Sequence, residues 1–516
     1  MDEQGNLKNR VKNQLHYFFA LIILVHCALY LVYWFAITHL KRDVDQFVEN
    51  FMGVQLPYTT ILMIITGLIG LWSLIRFITF RLALHSKAWK PSIMNWVYFV
   101  IGMLFLAIFY GSFVLILREN PSQSGVIIHL LNVIRLVGDT LLFLWAAVWL
   151  RRIILYFRRK MVKAKYRWFW AVGIFVALLS LVGLWLIPTI FPPSWAYQGD
   201  LPPKPALLAH RGASMLAPEN TLAAAELAAD NGAFGFETDV RISLDGVPFL
   251  MHDETLERTT NIMEVYPQRA KDRASEFTLE ELEDLNAGLW FIQKDPYGTI
   301  NAGLVSQTQL SLNQGQNIPT LSEALELVAA NDLVILFDMR YPPDDHPYHD
   351  EFFEIVFSVC QESGLNGNIW FLLDRKNLQT ALDRAPQMTR VMGVSSTNLP
   401  SAEQVINLDY EIINVDTGIT TQDIRAYRAD GLGVNVYTID EAWLFSQFWL
   451  SGVTSVTTNN IHRFSQLDQP LINIPYSRYL LFWGVFGIIV AIWLASSQPE
   501  PELADHRPDP VHLRAG

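Results

Sequence analysis

Six long apolar stretches limit what this chain can fold into more than any other feature of its sequence. Five precede a polar middle region and one follows it, and each is near the roughly 20 residues that a helix needs to cross a bilayer. We therefore predict six membrane-spanning helices: Tyr17–Thr38, Tyr58–Thr79, Ile93–Leu117, Val126–Leu150, Trp168–Ile190 and Tyr479–Ala495. Only 17% of the residues are charged, which excludes a wholly soluble or disordered chain.

The hydropathy pattern divides the 516 residues into four segments. Residues 1–190 are predicted to form a membrane domain with five spanning helices, and residues 200–468 a globular domain. The sixth spanning helix is expected within residues 477–496. Residues 497–516 are rich in Pro and lack periodicity, so we predict a disordered cytoplasmic tail.

The charge distribution predicts how the chain is oriented in a cell membrane. Between Phe191 and Tyr476 there are 16 Lys and Arg against 39 Asp and Glu, whereas the rest of the chain has 22 against 11. Short loops rich in Lys and Arg face the cytoplasm, and here they precede the first span, follow the second and follow the fourth. We expect cytoplasmic termini and an extracytoplasmic middle domain. Its acidity argues against nucleic-acid binding.

The middle domain alternates short β-rich runs with helix-like segments, which is typical of repeated βα units. We predict eight strands: Ala206–Ala209, Gly235–Val240, Leu333–Asp338, Asn368–Leu373, Thr389–Val394, Glu411–Val415, Gly433–Thr438 and Thr454–Thr458. Eight such units favour an α/β TIM-type (β/α)8 barrel, inserted here in a bundle of six spanning helices. In such barrels the chemistry lies at the carboxyl ends of the strands.

A hairpin is predicted directly after the second strand. Asp245-Gly246 separates that strand from Val247–His252, and an Asp-Gly pair between two such runs is a strong hairpin signal. Folding about this turn pairs residues whose numbers sum to about 491, so we expect Asp239 opposite His252. The hairpin would return His252 to the active end of the barrel.

Three carboxylates at strand ends predict a metal site. Glu237 and Asp239 lie two residues apart, so their side chains point to the same face, and Asp338 closes the neighbouring strand. Adjacent carboxylates repel, and a shared Ca²⁺ or Mg²⁺ relieves that repulsion. The alternative is an exposed acidic rim.

Two histidines and two arginines fit a phosphodiester beside that metal. His210 ends the first strand, and with His252 it could supply the acid and the base of a hydrolysis. A lone strand-end histidine is more often structural. Arg211 and Arg340 offer guanidinium groups that match phosphate oxygens.

Weaker signals surround these residues. Glu219 is expected to orient a catalytic group, and Asn220 either supports the site or only caps the next helix. The long stretch between Asp253 and Leu333 contains a helix-like segment, Leu279–Leu285, and is expected to be a lid or a substrate-recognition insert. For its Gly, Asn and Gln-rich patch, Tyr297–Asn317, the alternative is a plain mobile loop.

The ordered motifs resemble the glycerophosphodiester phosphodiesterases. These motifs are His210-Arg211-Gly212, Pro218-Glu219-Asn220-Thr221, Glu237-Thr238-Asp239, Asp245-Gly246 and His252-Asp253. Phrases such as Phe337-Asp338-Met339-Arg340 and Arg258-Thr259-Thr260-Asn261 look like the multi-pass membrane subfamily, whose catalytic domain lies outside the cell. The resemblance covers essentially the whole middle domain.

The resemblance implies an enzyme with one divalent metal on Glu237, Asp239 and Asp338, and with His210 and His252 as the acid/base pair. It implies that a glycerol hydroxyl of the substrate attacks phosphorus, and that water then opens the cyclic phosphate to glycerol phosphate. Two departures concern the details. Asp338-Met339-Arg340 stands where many members have Glu-x-Lys, and Tyr437 stands where a Trp is usual.

Three functions remain open on the sequence. The first is hydrolysis of soluble glycerophosphodiesters by a membrane-anchored ectoenzyme. The second is phospholipase-type cleavage of lipid-derived substrates in the bilayer, namely lysophospholipids or glycosylphosphatidylinositol anchors. The third is a non-catalytic membrane scaffold or transporter. The presence of all five candidate catalytic and ligand residues argues against it: His210, Glu237, Asp239, His252 and Asp338.

Overall fold

The computed structural model describes residues 3–54, 56–83, 93–161 and 167–496. The chain divides into two compact units. The first comprises Met1–Leu130 and Pro202–Ile472, and the second comprises Leu131–Leu201 and Asn473–Gly516. The predicted tail of residues 497–516, and the basic residues at 84–92 and 162–166, lie outside the described residues.

The first unit begins with long helices. They are α1 (Glu3–Ala36), α2 (Thr38–Met52), α3 (Tyr58–Ala83), α4 (Ile93–Glu119) and the start of α5 (Gln123–Met161). Helix α2 was not predicted, because its sequence mixes charged and apolar residues and hydropathy alone does not reveal such a helix. It begins directly after Ile37, where the backbone leaves the helical conformation and α1 ends.

Within the part of the chain that the structure describes, six helices are long and apolar enough to span a membrane, which agrees with the predicted number. Their apolar parts are Gln14–Ala36, Tyr58–Phe80, Ile93–Glu119, Gln123–Tyr156, Ala171–Ile190 and Tyr476–Ala495. Four of them begin in the first unit, and the last two belong to the second.

Eight parallel strands of the first unit close into a barrel. They are β2 (Ala206–His210), β3 (Gly235–Ile242), β5 (Val334–Met339), β6 (Ile369–Leu372), β7 (Thr389–Val394), β8 (Ile412–Asp416), β9 (Gly433–Tyr437) and β10 (Ser455–Thr458). Neighbours in sequence are neighbours in the sheet, and β2 pairs with both β3 and β10. The predicted TIM-type barrel is therefore confirmed, with strand ends within two residues of the predicted ones.

Helices connect the strands of the barrel, and a short helix follows the last strand. They are α7 (Leu222–Asp230), α12 (Leu321–Asn331), α13 (Phe352–Glu362), α14 (Arg375–Arg384), α15 (Ala402–Asn407), α16 (Thr421–Ala429), α17 (Ala442–Ser451) and α18 (Ile461–Phe464). Local sequence sets several of their starts. The Thr320 side chain caps α12 by accepting from the Glu323 backbone N–H, and the Glu323 carboxylate accepts from the Thr320 backbone N–H. This reciprocal arrangement satisfies two backbone N–H groups.

The predicted hairpin forms, but its register was wrong by one residue. Strand β4 (Pro248–Leu250) pairs with β3 so that Val240 faces Leu250, and the Met251 backbone donates to the Asp239 carbonyl. The loop has three residues, since the Ser243 backbone N–H donates to Val247, and Gly246 lies at φ +87°. Three-residue hairpin loops place a left-handed residue last, whereas the prediction assumed a two-residue turn. Asp239 therefore lies opposite Met251 rather than His252.

An ordered insert, residues 254–319, follows this hairpin. It carries α8 (Ile262–Val265), α9 (Leu279–Glu283), α10 (Leu289–Lys294) and α11 (Gln307–Gln314). Its helices surround an apolar cluster that includes Phe277, Leu282 and Leu285. The predicted helix near Leu279 is confirmed. The alternative of a plain loop is wrong for much of the Gly, Asn and Gln-rich part, because α11 forms there and Asn313 is buried.

The outer side of α17 is covered within the first unit. All but one of its residues are buried, whereas an outer barrel helix normally exposes one face. The ring of His129 from α5 packs on Phe448, and the Trp443 indole donates to the Ala36 carbonyl at the end of α1. Gly125 lies so close to Gly418 that a Cβ there would meet its Cα at 2.2 Å.

The second unit contains the remainder of α5, α6 (Arg167–Ile190) and α19 (Tyr476–Ala495). A short parallel pair joins their ends, formed by β1 (Ala196–Tyr197) and β11 (Ile474–Pro475). The Tyr479 hydroxyl donates to the Pro188 carbonyl, and the Trp185 indole donates to the Trp483 carbonyl. These bonds hold α19 beside α6.

Candidate active site

A cavity of about 410 Å³ lies at the carboxyl ends of the barrel strands. Its walls include most of the predicted site residues: His210, Arg211, Glu237, His252, Asp338, Arg340 and Tyr437. Asp239, Glu219 and Asn220 are buried beside it. The structure therefore brings the predicted residues together at the end of the barrel where chemistry is expected.

His210 presents one ring nitrogen to this cavity. Its Nδ1 lies 2.8 Å from Oδ1 of Asn459, and its Nε2 lies 3.7 Å from Oε2 of Glu237. Burial and the neighbouring Arg211 guanidinium lower the pKa of His210 to about 4. The imidazole is therefore held in its neutral, proton-accepting form.

Asn459 decides which nitrogen of His210 carries the proton. Nδ2 of Asn459 donates to Oδ2 of Asp440 at 2.8 Å, and a carboxylate only accepts, so Oδ1 of Asn459 must face His210. Nδ1 of His210 is then the donor, and Nε2 is left with its lone pair. Neither Asn459 nor Asp440 was predicted as a site residue from the sequence. Asn459 directly follows β10, and Asp440 lies three residues after the end of β9.

His252 is held differently. Its Nδ1 lies 2.7 Å from Oδ1 of Asp253, so Nδ1 donates and Nε2 is available to the cavity. Nη2 of Arg258 also donates to Asp253, at 2.9 Å. Burial alone would raise the pKa of Asp253, but its bonds to His252 and Arg258 lower it well below its ordinary value. A carboxylate that stays ionised stabilises a protonated imidazole.

The three predicted ligand carboxylates lie on adjacent strands in register. Asp239 pairs with Asp338 across β3 and β5, and Glu237 lies two residues before Asp239 on the same face. Burial and repulsion from Asp239 raise the pKa of Glu237 well above its ordinary value. Burial also raises the pKa of Asp338. These shifts mark a site where negative charge exceeds its local compensation.

Arg340 and Arg211 lie among these carboxylates. Nη2 of Arg340 is 2.8 Å from Oδ1 of Asp239 and 3.1 Å from Oδ2 of Asp338. Nε of Arg211 is 3.4 Å from Oδ2 of Asp239, and the Arg211 backbone N–H donates to Glu237 at 3.2 Å. Both guanidinium groups also line the cavity, so they face the space that a phosphate would fill.

Glu219 and Asn220 support the arginines and Asp239. Glu219 accepts from Arg211 at 2.8 Å and from both terminal nitrogens of Arg258 at 2.9 and 2.6 Å. Burial alone would raise the pKa of Glu219, but these bonds lower it to about 2. Asn220 donates to Asp239 at 3.3 Å and accepts from Thr238, while Thr221 caps helix α7. Arg258 was missed as a site residue in the sequence.

The donors fit a hard divalent cation by type, though no coordination geometry is preformed. Among the described residues, no group of three or more His, Cys, Asp or Glu side chains is arranged around one point as metal ligands. The three carboxylates nevertheless provide oxygen donors of the kind that Ca²⁺ and Mg²⁺ prefer. Burial and the neighbouring Asp239 raise the pKa of Glu237, so a positive charge among these oxygens would stabilise the ionised form of the cluster.

Tyr437 contributes an aromatic wall to the cavity. It ends strand β9 and remains about one third exposed, at 37%. Burial, together with the charge of Asp416, raises the pKa of its hydroxyl. It can therefore offer a neutral ring face and a hydrogen-bond donor to a bound molecule.

Residues 210–463 match the model of the glycerophosphoryl diester phosphodiesterase family. The barrel of this chain belongs to that family. The match spans the cavity residues from His210 through Arg340 to Asn459, and it agrees with the resemblance seen in the motifs.

Curated relatives share sequence with a little over half of the chain. Mouse (Mus musculus) glycerophosphoinositol inositolphosphodiesterase GDPD2 is 40% identical over 307 residues, covering 58% of this chain and 55% of the relative. Glycerophosphodiester phosphodiesterase domain-containing protein 5 of Gallus gallus is 38% identical over 326 residues, covering 61% and 53%. The chain thus spans about half the length of the curated relatives it matches.

Among solved structures, an Oleispira antarctica phosphodiesterase in complex with the product sn-glycerol-3-phosphate is similar over 50% of this chain and 95% of its own. The sequence identity is 25% and the TM-score 0.41.

Proposed function

We propose that this chain is a membrane-anchored, metal-dependent phosphodiesterase that hydrolyses glycerophosphodiesters to glycerol phosphate and an alcohol. One observation carries the proposal: two histidines with fixed Nδ1 protons turn Nε2 toward one cavity that also holds carboxylates and guanidinium groups. This is the arrangement that acid/base hydrolysis of a phosphodiester requires.

The two histidines take different roles in the proposed reaction. Nε2 of His210, held neutral, accepts the proton of a substrate glycerol hydroxyl as its oxygen bonds to phosphorus. His252, when protonated, donates the proton of Nε2 to the oxygen of the departing alcohol as the bond from that oxygen to phosphorus breaks, while Asp253 accepts from Nδ1. Arg211 and Arg340 bind the phosphoryl oxygens.

Hydrolysis of the cyclic phosphate reverses these proton transfers. Water adds to phosphorus while His252, now neutral, accepts its proton. His210, now protonated, returns a proton to the glycerol oxygen as the ring opens. Both histidines regain their starting states, and no covalent bond to the enzyme forms.

The family generally depends on a divalent metal, and we assign Glu237, Asp239 and Asp338 as its ligands here. When bound, such a cation would polarise the phosphoryl oxygens and acidify the attacking hydroxyl. Ca²⁺ and Mg²⁺ suit these three carboxylates equally by donor type. Tyr437, Glu219 and Asn220 act as supporting residues in this assignment.

The full chain should be used to test this function, because the barrel and the first helices form one compact unit. In detergent or vesicles, it should release glycerol phosphate from glycerophosphocholine or from glycerophosphoinositol, the substrate suggested by the name of the mouse relative. Chelator should stop the reaction and added Ca²⁺ or Mg²⁺ restore it. Absence of turnover on both substrates with metal supplied would reject the proposal.

A second candidate is cleavage of lipid-derived substrates, favoured by the packing of the barrel with apolar helices inside one unit. A lysophospholipid in mixed micelles, assayed beside glycerophosphocholine, separates the two. A higher kcat/KM on the lysophospholipid would favour the second function.

We also propose that the barrel lies outside the cell and both termini inside. Both native cysteines are buried, so single introduced cysteines can report the side. Asp468→Cys on the barrel should react with a membrane-impermeant maleimide in intact cells. Tyr156→Cys, at the last residue of the fourth span, should react only after permeabilisation.

A further inference from the structure

A layer of small and polar residues crosses one half of the barrel interior, just below the strand ends. Gly393, Asn414, Asn435 and Ser455 are paired in register on the adjacent strands β7, β8, β9 and β10. Ile412, two residues before Asn414 and therefore on the same face, belongs to an apolar cluster inside the barrel. Interior layers of such barrels are usually built from bulky branched residues, so packing does not explain this polar layer.

Asn435 is the centre of a hydrogen-bond network in this layer. Its side chain is completely buried, and its Nδ2 donates to Oδ1 of Asn414 at 2.7 Å and to Oγ1 of Thr457 at 2.9 Å. Its Oδ1 accepts from the Ser455 hydroxyl at 2.7 Å. A buried amide is costly unless its polar atoms are paired, and a satisfied network holds its members rigidly. Asn414 and Thr457, which both line the cavity, are therefore fixed in orientation.

Asn414 has hydrogens left for a ligand. Its Oδ1 accepts from Asn435, and among the described residues no group accepts from its Nδ2. Gly393, the neighbour of Asn414 on β7, also lines the cavity. A Cβ at Gly393 would come no closer than 3.5 Å to Leu372, so open space adjoins the amide. An oxygen atom of a bound molecule can therefore accept from Nδ2 of Asn414.

The position of Asn414 determines which part of a substrate reaches it. Strand β8 lies opposite β3 in the closed barrel, with three strands between them in either direction. The network runs from Asn414 to Thr457 on β10, which pairs with β2, the strand of His210. In the proposed reaction His210 takes the proton of the glycerol hydroxyl, whereas His252 serves the departing alcohol from the hairpin beyond β3. The glycerol arm therefore lies on the side of the polar layer.

We propose that Asn414 is a specificity-determining residue that binds the terminal hydroxyl of the glycerol moiety, the one that does not attack phosphorus. Nδ2 of Asn414 donates to that hydroxyl oxygen. A site built to hydrogen-bond a hydroxyl discriminates against an analogue that lacks it. This inference rests on the proposed function of the site, and it adds the means by which a glycerol ester is distinguished from other phosphodiesters.

A pair of substrates tests this role in the full-length enzyme with metal supplied. Glycerophosphocholine is compared with the phosphocholine ester of 1,2-propanediol in matched configuration, which keeps the attacking hydroxyl and lacks the terminal one. From choline release, we expect kcat/KM of the wild type to be about tenfold lower on the propanediol ester, because one hydrogen bond is lost. Asn414→Leu should lower kcat/KM about tenfold on glycerophosphocholine and leave it unchanged on the propanediol ester, since both changes remove the same bond.

Asn368→Leu is the matched control. Nδ2 of Asn368 donates to the Leu333 carbonyl at 2.8 Å, directly before β6 and thus at the opposite end of the barrel. This variant should keep the tenfold preference of the wild type. The ratio of the two substrates within one variant does not depend on the fraction of folded enzyme. If Asn414→Leu does not fold, Asn414→Ser, a smaller change that also removes the amide donor, should likewise lose the preference.

Three results in an active enzyme would overturn the inference alone. Equal kcat/KM of the wild type on the two substrates would mean that no group binds the terminal hydroxyl. A preference that persists in the Asn414 variants would assign the recognition to another residue. A loss in Asn414→Leu that differs between glycerophosphoinositol and glycerophosphocholine would place the departing alcohol on Asn414 instead. A wild type that is inactive on all these substrates would remove the proposed function and this inference together.

Discussion

His210 and His252 expose the same ring nitrogen to one cavity, but they are held by groups of different charge. His210 donates to the neutral amide of Asn459, while His252 donates to the carboxylate of Asp253, which is itself bound by Arg258. The two histidines therefore share one tautomer but differ in the charge of the group that accepts from Nδ1. We propose that this difference assigns their roles, because a carboxylate partner stabilises positive charge on a histidine and a neutral amide does not.

The largest expected effect comes from removing each histidine in turn. His210→Ala and His252→Ala should each lower kcat on glycerophosphocholine about 10³-fold. With a 4-nitrophenyl ester of glycerol phosphate, His252→Ala should recover most of its rate, because nitrophenolate departs without protonation. His210→Ala should remain slow. Equal recovery of the two variants would contradict the assigned roles.

Metal binding tests whether Glu237, Asp239 and Asp338 hold a divalent cation. A divalent cation at about 100 times its Kd should stabilise the wild type by about 2.7 kcal/mol, measured as a rise in Tm. Glu237→Gln should abolish both this rise and activity. Glu226→Gln, at an exposed position on α7, is the matched control. A rise that persists in Glu237→Gln would mean that the cation binds elsewhere.

Exchanging the partner of His252 should remove the asymmetry between the two histidines. Asp253→Asn leaves an acceptor for Nδ1 but removes the charge that favours the imidazolium. We expect kcat to fall about 10²-fold on glycerophosphocholine and to change little on the nitrophenyl ester. A similar loss on both substrates would show that Asp253 serves the fold rather than the acid.

A pH-dependent effect on stability is expected for Glu219, whose carboxylate accepts from both Arg211 and Arg258. Its folded pKa of about 2 lies below its ordinary value of 4.5, so its stabilising contribution is complete above pH 4.5 and is lost as pH falls toward 2. The full contribution is about 3 kcal/mol. Chemical denaturation between pH 7 and pH 3 should show a steeper loss for the wild type than for Glu219→Gln. Parallel curves would refute this.

The sequence predicted the barrel well because its signals are local. Alternating apolar runs and turn residues mark each strand independently of the others, so the eight strands and the residues at their ends could be located. The hairpin register depended on one detail, the number of loop residues around Gly246, which Asp-Gly alone does not determine. A loop of three residues satisfies the same motif as a loop of two.

The supporting residues of the site could not be found in this way. Asn459 and His210 meet only because β10 closes the barrel against β2, a pairing between residues far apart in the chain. A predicted closed barrel implies that its last strand pairs with its first. Polar residues directly after the last strand could therefore have been predicted to lie near His210.

The covered side of α17 bears on how the enzyme can be produced. A fragment cut at the limits of the barrel would leave Trp443, Phe448 and their neighbours facing water, because Ala36 and His129 would be removed. Such a fragment is expected to aggregate or to require detergent, even though it contains all the proposed catalytic residues. Soluble expression of the fragment would require polar replacements on the outer face of α17. Crystallisation of the whole first unit would keep that face covered by the segments that contain Ala36 and His129.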